Sequence, residues 1–136
     1  MQNSTRNTWD RAGKAKLVQE KLSPQDLLRR FRFDFEKGEI YTRKTGNRVD
    51  RIHTFNGHTR NLDLAYRQVS LKVPDLASVK PITVKLSAHV MIWTAANGRW
   101  PREGMVIDHR DGKRQNNAVS NLEEVSQAEN VRRGRR

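Results

Sequence analysis

The 136-residue sequence has no cysteine, which removes disulfides, thiolate zinc sites and cysteine nucleophiles together. Any metal it binds must sit on oxygen or imidazole. No apolar run approaches the ~18 residues that a membrane span requires. The N-terminal stretch MQNSTRNTWDRAGKAK also lacks the apolar centre of a secretory signal, so a soluble, cytoplasmic protein without a membrane partner is expected. Aromatic residues make up only 7% of the chain, too few for a sheet that stacks exposed bases of single-stranded RNA. Acidic residues are scarce as well. Fifteen Asp and Glu face twenty-seven Lys and Arg, a formal net charge of +12, which makes a polyanion, and nucleic acid first, the expected partner.

The length fits one domain. Residues 1–22 are polar and basic, with Trp9, Leu17, Val18 and Leu22 as scattered apolar anchors, and read as a basic, partly helical arm. Residues 23–86 read as a helix followed by antiparallel strands, a region able to contact DNA. Ser23 is placed to cap that helix: Pro24 suits its first position, Asp26 its first turn, and Leu27, Leu28 and Phe31 carry the apolar pattern to about residue 31. In FDFEKGEIYTRKTG a turn at Lys37 and Gly38 precedes a strand near residues 39–43. Alternation in YRQVSLKV and ITVKL predicts two antiparallel strands. Ser87 then caps a helix that Asn97 and Gly98 end. The remainder reads as strand MVIDH, a polar loop, strand LEEVS and a helix opened by the capping box Ser126 to Glu129.

That last stretch carries the chemistry. Hydrolysis of a phosphodiester needs a base for the attacking water and a cation to neutralise charge on the phosphate oxygens. Asp108 and His109 supply one group for each task. On a strand their side chains point to opposite faces, so neighbours in sequence can take separate roles. Asn130, one turn into the final helix, can face back toward Asp108. A carboxylate with an amide oxygen suits a hard ion such as Mg²⁺ or Mn²⁺.

The segments LSAHVMIW and MVIDHRDGKRQNNAVSNLEEVSQAEN, about residues 86–130, resemble the HNH endonucleases, in particular the phage and intron-encoded homing branch in its H-N-N variant. The resemblance implies an α+β fold in which a small antiparallel sheet precedes a ββα-metal (His-Me finger) motif. Residues 87–136 would form the nuclease core with a basic tail. It further implies that His109 is the general base, that Asp108 and Asn130 bind the divalent cation, and that Asn121 ties the loop to the histidine-bearing strand and so orients the imidazole. Asp111 and Gly112 would make the turn after the first strand, and Asn116 and Asn117 would pin the loop. Double-stranded DNA is the implied substrate and a phage-encoded mobile element the implied setting. A monomer is favoured, with one active centre suited to nicking. Glu123 and Glu124 stand where many relatives carry a basic residue, which weakens any phosphate contact there.

His89, Arg110, Lys113, Arg114, Arg132 and Arg133 are candidates for DNA contact, with His89 equally placed to pack in the core. Arg43, Lys44, Arg48, Arg51, Arg67, Lys72 and Lys85 either track a duplex backbone or form a solvated face. The tail VRRGRR divides the same way. Val90, Ile92 and Trp93 read as core, and Trp100 is open. His53 and His58 would share a metal only on a helix, and Gly57 argues for a loop, so no metal is assigned to them. The competing readings are a DNA-binding accessory protein that does not cut and a basic RNA-binding protein. If phosphate contacts dominate, affinity for a DNA duplex should fall by on the order of 10³-fold between ~50 and ~200 mM salt. Titrations showing salt-independent binding would remove the polyanion reading.

Overall fold

Val18 and Leu22 stand four residues apart, which places them on one face if the backbone is helical. In the computed structural model, which describes residues 14–52, 65–74 and 80–134, that is the outcome: α1 (Lys14–Lys21) buries Val18 in the core, and Leu22 follows it there. Residues 14–22 are therefore part of the packed body and not of a basic arm. Residues 1–13 and 53–64, with His53 and His58 among them, lie outside the described residues.

Ser23 begins α2 (Pro24–Arg30) with a reciprocal capping box. The Asp26 amide donates to Ser23 Oγ at 3.2 Å and the Ser23 amide to Asp26 Oδ2 at 2.9 Å. The helix stops at Arg30, and Phe31 already lies in β1 (Phe31–Asp34), which pairs antiparallel with β2 (Glu39–Thr42). The sequence reading expected only a turn and the second strand. Phe31 stands four residues after Leu27 and so continues the helical period, while Phe31, Phe33 and Phe35 also fit the strand period. The cross-strand partners decide between them.

Among the described residues a second antiparallel sheet has the order β3 (Arg51–Ile52), β4 (Arg67–Val73), β5 (Ile82–Ser87). The region upstream of the nuclease-like segment thus holds two small sheets and not one. Register pairs Val69 with Leu86, Leu71 with Val84 and Val73 with Ile82, so the alternation read from the sequence becomes one apolar face. Lys72 and Lys85 project from the other.

The inner face packs on α3 (Ala88–Asn97), which buries Ala88, Met91, Ile92, Trp93 and Ala95 and is apolar around most of its circumference, as a central helix must be. Gly98 ends it in the left-handed conformation (φ 73°), its amide donating to Thr94 O at 2.9 Å. Ser87 occupies the N-cap position but makes no side-chain cap bond, contrary to expectation. Trp100 joins this core and donates its Nε1 proton to Leu22 O at 2.9 Å, which ties α3 to α1.

The chain then forms β6 (Met105–His109), a 3₁₀ turn (Val119–Asn121), β7 (Leu122–Ser126) and α4 (Gln127–Arg132). This is the expected strand, loop, strand, helix order. Ser126 Oγ accepts the Glu129 amide at 3.0 Å and so caps α4.

The β1–β2 turn reaches this unit. The Val119 amide donates to Phe35 O at 2.9 Å, and Gly38 lies so close that a Cβ there would overlap the backbone of Asn117 and Ala118. Gly38 also has a left-handed φ of 74°. Gly38→Ala should therefore destabilise the protein more than Gly46→Ala, which bears the same left-handed cost of ~1–2 kcal/mol but meets nothing within 4 Å. Urea unfolding of the two variants checks this, and equal losses would mean that the turn does not press on the loop.

Candidate active site

The register of β6 on β7 separates the two central side chains. Asp108 lies opposite Glu123, and His109 opposite Leu122. Alternation turns His109, with Ile107, toward α3 and the core, and turns Asp108 toward α4. Both central residues are buried, at 5% and 4% exposure.

The loop between the strands is closed by a polar network around Asp111. The Asp111 amide donates to Asn121 Oδ1 at 3.1 Å, and the Asp111 carboxylate accepts from Asn121 Nδ2 (2.9 Å), Asn116 Nδ2 (2.8 Å) and the Lys113 amide (2.8 Å). Burial pushes the Asp111 carboxyl up, but the hydrogen bonds from Asn116, the Lys113 amide and Asn121 outweigh it and hold it at about 2. Gly112 takes the left-handed turn (φ 76°), its amide donating to His109 O at 2.9 Å. Asn121 also donates to Asn116 O at 2.9 Å, and its own carbonyl accepts the Arg110 amide at 2.7 Å.

The loop thus returns to the end of the histidine-bearing strand through Asn121, but Asn121 does not make the imidazole contact. That contact belongs to Asn117, which the sequence reading gave only a loop-pinning role. Asn117 Oδ1 lies 2.8 Å from His109 Nε2, with both residues buried. An amide oxygen only accepts, so the proton resides on Nε2 and the basic lone pair on Nδ1. Two asparagines adjacent in sequence gave no signal as to which would face inward. Burial holds the His109 imidazole below its ordinary value, partly offset by the Asn117 hydrogen bond and by Asp108.

On the opposite face, Arg133, just after α4, gathers three carboxylates. Its Nη1 donates to Asp108 Oδ2 and to Glu123 Oε1, each at 2.9 Å, and its Nε to Glu129 Oε2 at 2.7 Å. Asn130, three residues before Arg133, shares its helical face and lies partly buried. Among the described residues no group of three or more His, Cys, Asp or Glu could hold a metal. Glu124 is held by Arg99 (2.6 Å) and the Arg102 amide (2.8 Å), and Arg99 keeps its carboxyl at about 2. Both acids that depart from the usual family pattern therefore serve as internal counterions.

Of the candidate DNA contacts, Arg110, Lys113 and Arg132 are exposed, Arg110 beside Glu123 at 3.8 Å and Arg132 in an ion pair with Glu129. Arg114 lies over the Tyr66 ring, 4.7 Å from its centroid, and Arg133 is engaged as above. His89 is buried beside His109 and Tyr66, and burial, reinforced by His109, pushes its imidazole down to about 3. Tyr66 was missed in the sequence, where nothing distinguishes it from a strand residue. Among the sheet cations, Arg48 binds the Asp50 carboxylate at 2.9 Å, Arg67 the Asp50 carbonyl at 2.7 Å and Arg43 the Leu28 carbonyl at 2.9 Å. Lys44, Arg51, Lys72 and Lys85 are exposed.

A strand pair and helix carrying Asp, His and Asn, with the histidine locked by a loop asparagine, define a ββα-metal unit. Residues 87–132 match the family model described as HNH endonuclease. The solved structure described as "DNA binding and cleavage by the HNH homing endonuclease I-HmuI" is similar over 76% of this chain and 50% of that one, with 23% identity and a TM-score of 0.51, a likeness of fold. This chain spans half the length of that protein. No curated protein matches the chain.

The buried histidines make stability sensitive to acid. In the unfolded chain both imidazoles gain protons near pH ~6.5, whereas in the folded chain they do so only at lower pH. Stability should fall as pH drops below ~6.5, by up to ~1.4 kcal/mol per pH unit for each histidine, a loss that His89 carries down to about pH 3. The acids held near 2 add to it only below ~4. Denaturant titrations between pH 6.5 and 4.5 should therefore show a shallower slope for His89→Phe than for the parent. Identical slopes would place His89 in water.

Proposed function

We propose that this chain is a divalent-metal-dependent endonuclease of the homing type that hydrolyses phosphodiester bonds in double-stranded DNA, and that it is phage-encoded. The observation that carries this reading is the buried Asn117–His109 hydrogen bond, which leaves one ring nitrogen basic at the end of a strand whose preceding residue, Asp108, is a carboxylate. The family match over residues 87–132 and the fold shared with a DNA-cleaving homing endonuclease support it. The net charge of +12 suits the substrate.

The Asp108 side of the strand pair fits a hard cation. Its carboxylate already binds a positive group, the Arg133 guanidinium, and Asn130 adds an amide oxygen on the same helical face as Arg133. Asp108 and Asn130 would hold Mg²⁺ or Mn²⁺, which when bound supplies charge neutralisation on the phosphate and on the departing 3′ oxygen. His109 Nδ1 takes the proton of the attacking water, and burial keeps the ring neutral for that task near pH 7. Asn117 holds Nε2–H and stabilises the imidazolium that forms. Arg110, Lys113 and Arg132 meet phosphates at the rim. One centre per monomer nicks one strand at a time.

A supercoiled-plasmid assay tests the reading. Cleavage should require Mg²⁺ or Mn²⁺ and stop with EDTA while the fold, followed by circular dichroism, persists. His109→Ala should lose ~10²- to 10⁴-fold in rate with duplex binding retained. Asp108→Ala should lose more than Asn130→Ala, because it removes the charged ligand. Parental cleavage by His109→Ala or by Asp108→Ala would displace the proposed centre.

A further inference from the structure

A general base must hold its ring in a defined plane as well as at a defined place, because displacement by about 1 Å can cost on the order of 10²-fold in rate. The Asn117 hydrogen bond holds the His109 ring at one atom, Nε2. Two further rings restrain it. The His89 centroid lies 4.7 Å from that of His109 with the planes tilted by 49°, and the Tyr66 centroid lies 6.2 Å from His109 and 5.6 Å from His89. The Arg114 guanidinium, from the same loop as Asn117, lies over Tyr66 at 4.7 Å.

His89 is a buried polar residue of α3. It sits in the first turn of α3 with 9% exposure, and its Nδ1 is buried with no hydrogen-bond partner. An unsatisfied nitrogen is a cost that a leucine would not carry. Its ring lies against those of His109 and Tyr66. Because α3 is the central helix of the core, the ring is mounted on the most firmly packed element available.

We infer that His89 and Tyr66 are positioning residues for the general base, boxing the His109 imidazole so that Asn117 and the two rings together set its plane. The inference rests on the proposed role of His109, and the experiment separates the two. Single-turnover plasmid cleavage is measured for His89→Leu, His89→Phe, Tyr66→Leu and Tyr66→Phe. In parallel, the His109 Hε1 resonance is recorded by NMR without metal or DNA. Each leucine variant should lower kcat by on the order of 10- to 100-fold with little change in KM for DNA, and each phenylalanine variant should restore most of it. The His109 resonance should move downfield in the leucine variants as the ring current is lost and remain nearly in place in the phenylalanine variants.

Leucine variants with parental kcat and an unmoved His109 resonance would overturn the inference. So would leucine and phenylalanine variants impaired equally, which is the pattern of a general packing defect. If His89→Leu does not fold, the Tyr66 pair gives the same comparison from the outer side of the box. If the parent protein does not cleave, the proposed function fails, while the resonance still reports whether the rings hold the imidazole.

Discussion

The hydrogen bond between Asn117 and His109 is the constraint on which the rest of the site depends. A buried imidazole without a partner would be free to turn and costly to leave unsatisfied. With an amide oxygen on Nε2 it has one tautomer and one basic nitrogen. That amide can arrive only if the loop after β6 folds back tightly. The Asp111 carboxylate, gathering donors from three loop residues, gives the loop its closed form. The β1–β2 turn then presses on the backbone of Asn117 and Ala118 from outside. The upstream hairpin therefore helps to shape the candidate site through backbone contacts.

Charge is distributed with the same economy. Most acids near the site are used inward: Asp108, Glu123 and Glu129 on Arg133, Glu124 on Arg99 and the Arg102 amide, Asp50 on Arg48. Exposed basic residues such as Lys72, Lys85, Arg110 and Lys113 are left to shape the outer field. Arg133 supplies positive charge to Asp108 from within the chain. A divalent ion at Asp108 would meet a carboxylate already arranged to receive a cation.

Parts of this were legible in the residues because local rules settle them. The alternation of Val69, Leu71 and Val73 against Ile82, Val84 and Leu86 requires a sheet with one apolar face, and the capping signals at Ser23 and Ser126 mark helix starts through bonds within four residues. The order of β6, loop, β7 and α4 followed from the same cues. Where two periods overlap, as at Phe31, or where a serine precedes a helix without bonding to it, as at Ser87, local rules were not sufficient.

The sequence by itself determined the identity of the candidate groups, because carboxylate, imidazole and amide are chemical facts of Asp108, His109 and Asn130, and their spacing commits them to adjacent strand positions and a following helix. Only the tertiary structure decided which neighbours those groups have. That Asn117 and not Asn121 meets the imidazole, that Arg133 turns inward while Arg132 stays exposed, and that His89 and Tyr66 enclose His109 all depend on contacts between residues distant in the chain. Such contacts leave no periodic trace, because each is set by the packing of whole elements and not by the conformational preference of the residues that make it.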